Sequence, residues 1–178
     1  MAQKSTIYKA QLEIADLNRH YYASHHLTLA CHPSETTRRM LCRVFVFIHN
    51  ASDQLGFTKG ISTDDEPDLW EKTLTDEIDL WIDLGQPEER RIAKACGRSK
   101  AVRLYGYEPR AFAVWWEHQQ AALSRYKNLA IWEILLPDDQ DLEAILERSM
   151  KLNCTLQENE MLITSDSQAI SVSFRQKQ

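Results

Sequence analysis

The sequence contains few of the features that mark disordered, secreted or membrane-spanning proteins. It has only 5 glycines and 5 prolines in 178 residues, too few for a disordered or loop-dominated chain. Its longest apolar stretches, such as Val44 to Ile48, are far too short to cross a bilayer. The N-terminal segment lacks the apolar core and small-residue cleavage site of a secretory signal. We therefore expect a globular, cytoplasmic protein with no membrane partner.

Clustered cysteines are also missing. The sequence has 4 cysteines and no Cys-x-x-Cys pair; they are Cys31, Cys42, Cys96 and Cys154. A zinc centre is disfavoured because zinc sites need closely spaced ligands, and Cys31-His32 is the only close cysteine and histidine pair. We predict reduced, mostly buried thiols and no organic cofactor.

Charge of both signs is present, but its distribution is uneven. The formal net charge is −5, which opposes a role as a general nucleic-acid coat because such proteins rely on a basic surface. Ten acidic residues and only two lysines lie between Asp53 and Asp83, whereas six basic and no acidic residues lie between Arg90 and Arg103. This split fits metal-assisted phosphodiester chemistry, although solvent-exposed faces produce similar runs.

The hydrophobic pattern predicts a mixture of strands and helices. Alternation and β-branched or aromatic residues predict strands at residues 5–17, 25–31, 77–85, 101–107, 129–135, 150–156, 161–165 and 169–174. Helical spacing and capping residues predict a helix of about four turns near Ser34, a short helix from residues 63–67 through Leu69 and Trp70, and helices at 87–96, 110–126 and 138–147. We expect the first two strands to pair antiparallel and the last three to form an antiparallel meander. The whole chain, residues 1–178, is predicted to be one mixed α/β domain.

The strand at residues 77–85 is the most clearly defined. One face carries Ile78, Leu80, Ile82 and Leu84, and the other carries Asp79, Trp81 and Asp83. A helix and a further strand follow directly, which is the succession of a right-handed parallel strand–helix–strand unit. The acids of this strand are therefore expected to lie close to the cations of the following helix.

Two acidic positions resemble the motif of the PD-(D/E)xK nucleases. Pro67-Asp68 is followed by Asp83-Leu84-Gly85. In that superfamily both acids bind Mg²⁺, and a lysine two residues after the second acid orients the attacking water. The metal lowers the pKa of its water and offsets the charge of the transition state. Gly85 stands at the lysine position here, so a positive charge would have to come from another residue.

The following helix is the expected source of that charge. Lys94 is the candidate catalytic cation, and Gln86 is a candidate hydrogen-bond donor. Glu35 is a candidate third ligand for Mg²⁺ or Mn²⁺, beside Asp68 and Asp83. The candidate nucleic-acid-binding cations are Arg90, Arg91, Lys94 and Arg98.

Each of these residues also has a plain structural interpretation. Asp68 can be an acid at the start of a short helix, where the positive end of the helix dipole stabilises its charge. Asp83 can be a salt-bridge partner of Arg91, and Asp79 shares its face and competes for the ligand role. Lys94 and the arginines can form a solvent-exposed helix face.

Six segments resemble the bacterial YaeQ family, in order and over nearly the whole chain. They are STIYKA, HPSET, DDEPDLW, WIDLGQP, KAC and VWW. The resemblance implies a single restriction-endonuclease-like α/β domain with flanking helices, additional antiparallel strands and an altered PD-(D/E)xK motif. It points to Glu35, Asp68, Asp83, Gln86 and Lys94 as the residues of the site.

Two functions remain open at this stage. The first is a metal-dependent nuclease or phosphodiesterase with a degenerate site. The second is a non-catalytic module that keeps the nuclease-like fold and binds nucleic acid or protein. Fold membership does not decide between them, because function depends on the site.

Overall fold

A computed structural model describes residues 4–59 and 65–178 of the chain. The strands of these residues are β1 (Thr6–Asp16), β2 (Tyr21–Cys31), β3 (Leu55–Phe57), β4 (Leu69–Lys72), β5 (Ile78–Leu84), β6 (Ser99–Gly106), β7 (Leu129–Leu135), β8 (Ser149–Gln157), β9 (Glu160–Thr164) and β10 (Ala169–Gln176). The helices are α1 (Thr37–Asn50), α2 (Glu89–Arg98), α3 (Pro109–Leu123) and α4 (Asp139–Ile145). The protein is therefore a mixed α/β protein, as the hydrophobic pattern predicted.

The chain divides into two compact units, and the first comprises residues up to His49 together with Leu136–Phe174. β1 pairs antiparallel with β2 along its whole length and parallel with β8 on its other side. β8, β9 and β10 form the predicted antiparallel meander. The residues of α1 from Met40 to Ile48 are all buried, because nearly every side chain there is apolar.

The second unit comprises Asn50–Leu135 and Arg175–Gln178. β3, β4 and β5 pair antiparallel, whereas β5, β6 and β7 pair parallel. α2 is the connection between β5 and β6, as the sequence predicted. Its apolar residues Ile92 and Ala95 are buried in one core with Trp81 of β5. This packing fixes the polar face of α2 at the end of β5.

One predicted helix is wrong. The segment through Leu69 and Trp70 forms strand β4, in which Leu69 pairs with Ile82 and Trp70 pairs with Trp81. The acids and the proline before it were a local helix-start signal, but pairing with β5 buries Leu69 completely. Residues 63 and 64 of that prediction lie outside the described residues.

Smaller differences concern where elements begin and end. α1 begins at Thr37, and Thr36 caps it by accepting the N–H of Arg39 at 3.1 Å, so Ser34 is not the cap. β2 begins at Tyr21, four residues earlier than predicted. α2 continues through Gly97 to Arg98. The extent of the domain as a single unit of residues 1–178 stays a prediction.

The cysteines are all free thiols, as predicted, and three of them are buried. Burial raises the pKa of Cys96 to about 11 and that of Cys154 to about 12. These thiols are therefore protonated and unreactive at neutral pH. None of the helices in residues 4–59 and 65–178 has the length and apolar character needed to cross a membrane.

Candidate functional site

Asp68 lies directly before β4 and is held against the end of β5. Its backbone N–H donates to the carbonyl of Ile82 at 3.0 Å, and its Oδ2 accepts the N–H of Leu84 at 2.8 Å. Only 8% of the residue is exposed. Because a strand and not a helix follows, the interpretation of Asp68 as a charge at a helix start is wrong.

Asp83 lies in β5 and forms a two-pronged ion pair with Arg91 of α2. Arg91 donates from Nε to Oδ2 and from Nη2 to Oδ1, both at 2.9 Å. The indole N–H of Trp81 donates to Oδ2 at 3.0 Å. Such planar, paired contacts are among the strongest charge-assisted hydrogen bonds in proteins. The interpretation of Asp83 as a partner of Arg91 is confirmed.

Arg91 also binds the backbone that precedes β4. Its Nη2 donates to the carbonyl of Glu66 at 2.9 Å. Its guanidinium carbon lies 5.8 Å from the centre of the Trp81 ring, and that of Arg98 lies 5.6 Å from it. Arg91 therefore ties α2 both to β5 and to the segment before β4.

Two other predicted cations of α2, Lys94 and Arg98, bind the same segment. The Lys94 ammonium pairs with the exposed carboxylate of Asp65, and Arg98 donates to the backbone carbonyl of Asp65 at 3.2 Å. The hydrogen bond and charge of Lys94, with smaller effects of Arg98 and Arg91, lower the pKa of Asp65. The sequence identified these cations but missed Asp65 as their partner. Its only signal was the acid-rich composition of the segment.

The turn between β5 and α2 explains why a lysine is absent there. Gly85 has a φ of 103°, in the region that favours glycine, and its N–H donates to the carbonyl of Tyr105 at 2.8 Å. A lysine at this position would be strained. The next residue is Gln86, and its side-chain nitrogen Nε2 is buried without a hydrogen-bond partner among the described residues.

Glu35 belongs to the first unit, where two arginines bind its carboxylate. Arg43 donates to Oε1 at 2.9 Å and to Oε2 at 2.7 Å, and Arg39 donates to Oε1 at 2.9 Å. Arg43 also donates to the carbonyl of Ala30 at 2.9 Å. The side chains of Glu35 and Arg43 are only 1% and 5% exposed. The predicted third metal ligand is thus the acid of a buried ion pair.

A cavity of about 570 Å³ lies beside α2. It is lined by Glu88, Arg90, Arg91 and Lys94. Arg90 is exposed and forms no ion pair or hydrogen bond within residues 4–59 and 65–178. Among the described residues the cavity is therefore bordered by three cations and one acid, which suits an anionic group more than a cation.

The arrangement of the predicted ligands does not fit Mg²⁺ or Mn²⁺. These ions need carboxylate oxygens that can turn towards the metal. Arginines hold both oxygens of Asp83 and both oxygens of Glu35. Within the described part of the chain, no three His, Cys, Asp or Glu residues are grouped as a metal site requires.

Comparisons with known proteins cover nearly the whole chain. The model of the family described as YaeQ protein matches residues 1–174. The YaeQ protein of Escherichia coli strain K12 is 40% identical over 177 residues, which cover 98% of this chain and 96% of that protein. The YaeQ protein of Salmonella typhi is 44% identical over 160 residues, which cover 89% of this chain and 87% of that protein.

Two crystal structures have the same fold. The YaeQ protein from Xanthomonas axonopodis pv. citri matches with a TM-score of 0.91 and 41% identity, over 98% of both chains. The YaeQ protein from Pseudomonas syringae matches with a TM-score of 0.89 and 32% identity, over 98% of this chain and 96% of that one. Sequence and structure lead to the same conclusion, and the chain belongs to the YaeQ family.

Proposed function

We propose that this protein binds the phosphate backbone of nucleic acid on α2 without metal-dependent hydrolysis, and that its fold is a variant of the restriction-endonuclease-like type. The proposed fold rests on the order of elements along the chain: Asp68 before β4, Asp83 at the end of β5, and then the parallel unit of β5, α2 and β6. The proposed loss of catalysis rests on the ion pair of Asp83 with Arg91. The proposed binding rests on the cations beside the cavity.

The ion pair with Arg91 is the observation that carries the proposal. A nuclease of the PD-(D/E)xK type needs the second acid as a metal ligand and a lysine after it. In this chain Arg91 occupies both oxygens of that acid, and Gly85 stands at the lysine position in a backbone conformation that disfavours a side chain. The paired acid and the glycine support the proposed loss of the metal-dependent reaction.

The cations that remain are placed to meet a phosphate backbone. Arg90 is exposed and unpaired within the described residues, and Lys94 has 46% of its side chain exposed in its pair with Asp65. Residues four apart lie on the same face of a helix, so Arg90 and Lys94 point the same way. Exposed pairs such as that of Lys94 and Asp65 are weak, and a phosphate can displace the carboxylate.

Salt-dependent DNA binding tests this function. We would measure the fluorescence anisotropy of a labelled short DNA, single-stranded and duplex, with wild type and with the double variant Arg90→Ala, Lys94→Ala. Loss of two phosphate contacts is expected to reduce the slope of log affinity against log salt by about 2. At low salt the affinity is expected to fall at least about tenfold.

A matched control distinguishes a defined surface from general charge. The double variant Arg110→Ala, Lys127→Ala removes one exposed arginine and one exposed lysine of the same unit. It is expected to bind DNA as wild type does. An equal loss of DNA affinity in both double variants would contradict binding at α2. Cleavage of the DNA in Mn²⁺, abolished by Asp83→Asn, would contradict the loss of catalysis.

A further inference from the structure

The guanidinium of Arg91 contacts three oxygen atoms of Asp83 and Glu66. Two are the carboxylate oxygens of Asp83, and the third is the backbone carbonyl oxygen of Glu66; each lies 2.9 Å from a guanidinium nitrogen. Carboxylate and carbonyl oxygens are the ligands that hard divalent cations prefer. The ligands around Arg91 are therefore of the kind that would bind a metal, but the cation they bind belongs to the protein.

The surroundings hold this arrangement in place. The indole of Trp81 donates to one oxygen of Asp83 at 3.0 Å and keeps the carboxylate turned towards α2. Ile92, the neighbour of Arg91 on α2, is buried in the core and fixes the helix from which Arg91 extends. Arg91 itself is 28% exposed and borders the cavity, so an ion from solvent could reach the position of its guanidinium.

We infer that Arg91 is the built-in cation of this oxygen cluster, that it excludes a divalent metal from Asp83, and that its removal creates a site for Mn²⁺. A guanidinium supplies one positive charge in a flat, two-pronged form that matches the carboxylate. A metal ion would need the same oxygens at roughly 2.0–2.6 Å, so the metal and the guanidinium cannot occupy the site together. The inference does not depend on DNA binding.

Manganese binding tests the inference. Free Mn²⁺ would be measured by electron paramagnetic resonance during titration of wild type, Arg91→Ala and the double variant Asp83→Asn, Arg91→Ala. Arg91→Ala is expected to bind one Mn²⁺ more than wild type, at least about tenfold more tightly than any ion that wild type binds. The double variant is expected to lose that ion, because the carboxylate is gone.

Arg110→Ala is the matched control for charge. It removes one exposed arginine of the same unit, so its net charge equals that of Arg91→Ala, but Arg110 lies on α3. It is expected to bind Mn²⁺ as wild type does. A folded Arg91→Ala protein that binds Mn²⁺ no better than Arg110→Ala would overturn the inference. Wild-type binding of Mn²⁺ that is lost in Asp83→Asn would overturn it too.

Folding of the variant is followed by circular dichroism. If Arg91→Ala is unfolded in buffer, Arg91→Met keeps the apolar stem of the side chain and is measured instead. If both are unfolded, recovery of the folded signal on addition of Mn²⁺, and not in the double variant, supports the inference. Failure of Mn²⁺ to restore either variant would count against it.

Discussion

Two arginine–carboxylate pairs, one in each compact unit, share their chemistry but differ in their surroundings. Glu35 and Arg43 are 1% and 5% exposed, whereas Asp83 and Arg91 are 6% and 28% exposed. The first pair is closed off from water, so we expect it to stabilise the fold. The second pair borders a cavity, so its cation can also influence what binds there. Similar ion pairs are therefore expected to have different consequences, because solvent and ions reach one of them and not the other.

The largest expected effect tests the enclosed pair. Glu35→Ala leaves the guanidinium of Arg43 buried without its carboxylate, and breaking such a pair costs about 3–5 kcal/mol. We expect the free energy of unfolding to fall by that amount, as measured by urea denaturation. The matched control is Asp139→Ala, which removes an exposed ion pair with Arg38 and is expected to cost less than about 1 kcal/mol. A loss of similar size in both variants would show that enclosure does not matter.

The second effect tests the pair beside the cavity. Arg91→Ala leaves the carboxylate of Asp83 unpaired, but water can reach the vacated space because Arg91 is 28% exposed. We therefore expect a loss of about 2–3 kcal/mol, less than for the enclosed pair. Urea denaturation measures it, and Arg90→Ala on the same helix is expected to change stability by no more than about 0.5 kcal/mol. A loss larger than that of Glu35→Ala would reverse the comparison.

The smallest effect concerns the exposed pair of Asp65 and Lys94. The Lys94 hydrogen bond and charge hold the pKa of Asp65 below its usual value of 3.8. Because the folded pKa is the lower one, this contribution to stability is present above pH 3.8 and is lost as the pH falls through the folded value. Lys94→Ala is expected to raise the pKa of Asp65 towards 3.8, as measured by carboxyl NMR titration.

Lys72→Ala is the control for that titration. Lys72 forms an exposed pair with Asp76 at 2.8 Å, so its removal changes the net charge equally and leaves the contacts of Asp65 intact. We expect the pKa of Asp65 to stay lowered in this variant. An equal rise in both variants would mean that overall charge, and not the contact with Lys94, lowers the pKa.

The sequence predicted the parts of the site that depend on local pattern. Alternation in β5 placed Trp81 and Asp83 on one face, and the indole of Trp81 does contact that carboxylate. Asp83 and Arg91 are 8 residues apart, on a strand and the helix that follows it, so their pairing could be foreseen as an alternative. The YaeQ family was also recognisable, because several multi-residue segments occur in order.

Predictions failed where a distant partner decides the structure. The segment before Leu69 carries helix-start residues, yet pairing with β5 makes Leu69–Lys72 a strand. Local propensity is a weak guide in this case, because tertiary contacts override it. The role of Glu35 as a metal ligand stays a prediction.

The sequence by itself determined the parallel strand–helix–strand unit, the cations of α2 and the family. Only the tertiary structure decided which oxygen atoms each cation binds. Arg91 reaches the carbonyl of Glu66, 25 residues away, and Lys94 reaches Asp65, 29 residues away. Periodicity is set by neighbouring residues, so it can be read along the chain. Ion pairs between distant segments depend on strand pairing and core packing, which exist only once the chain has folded.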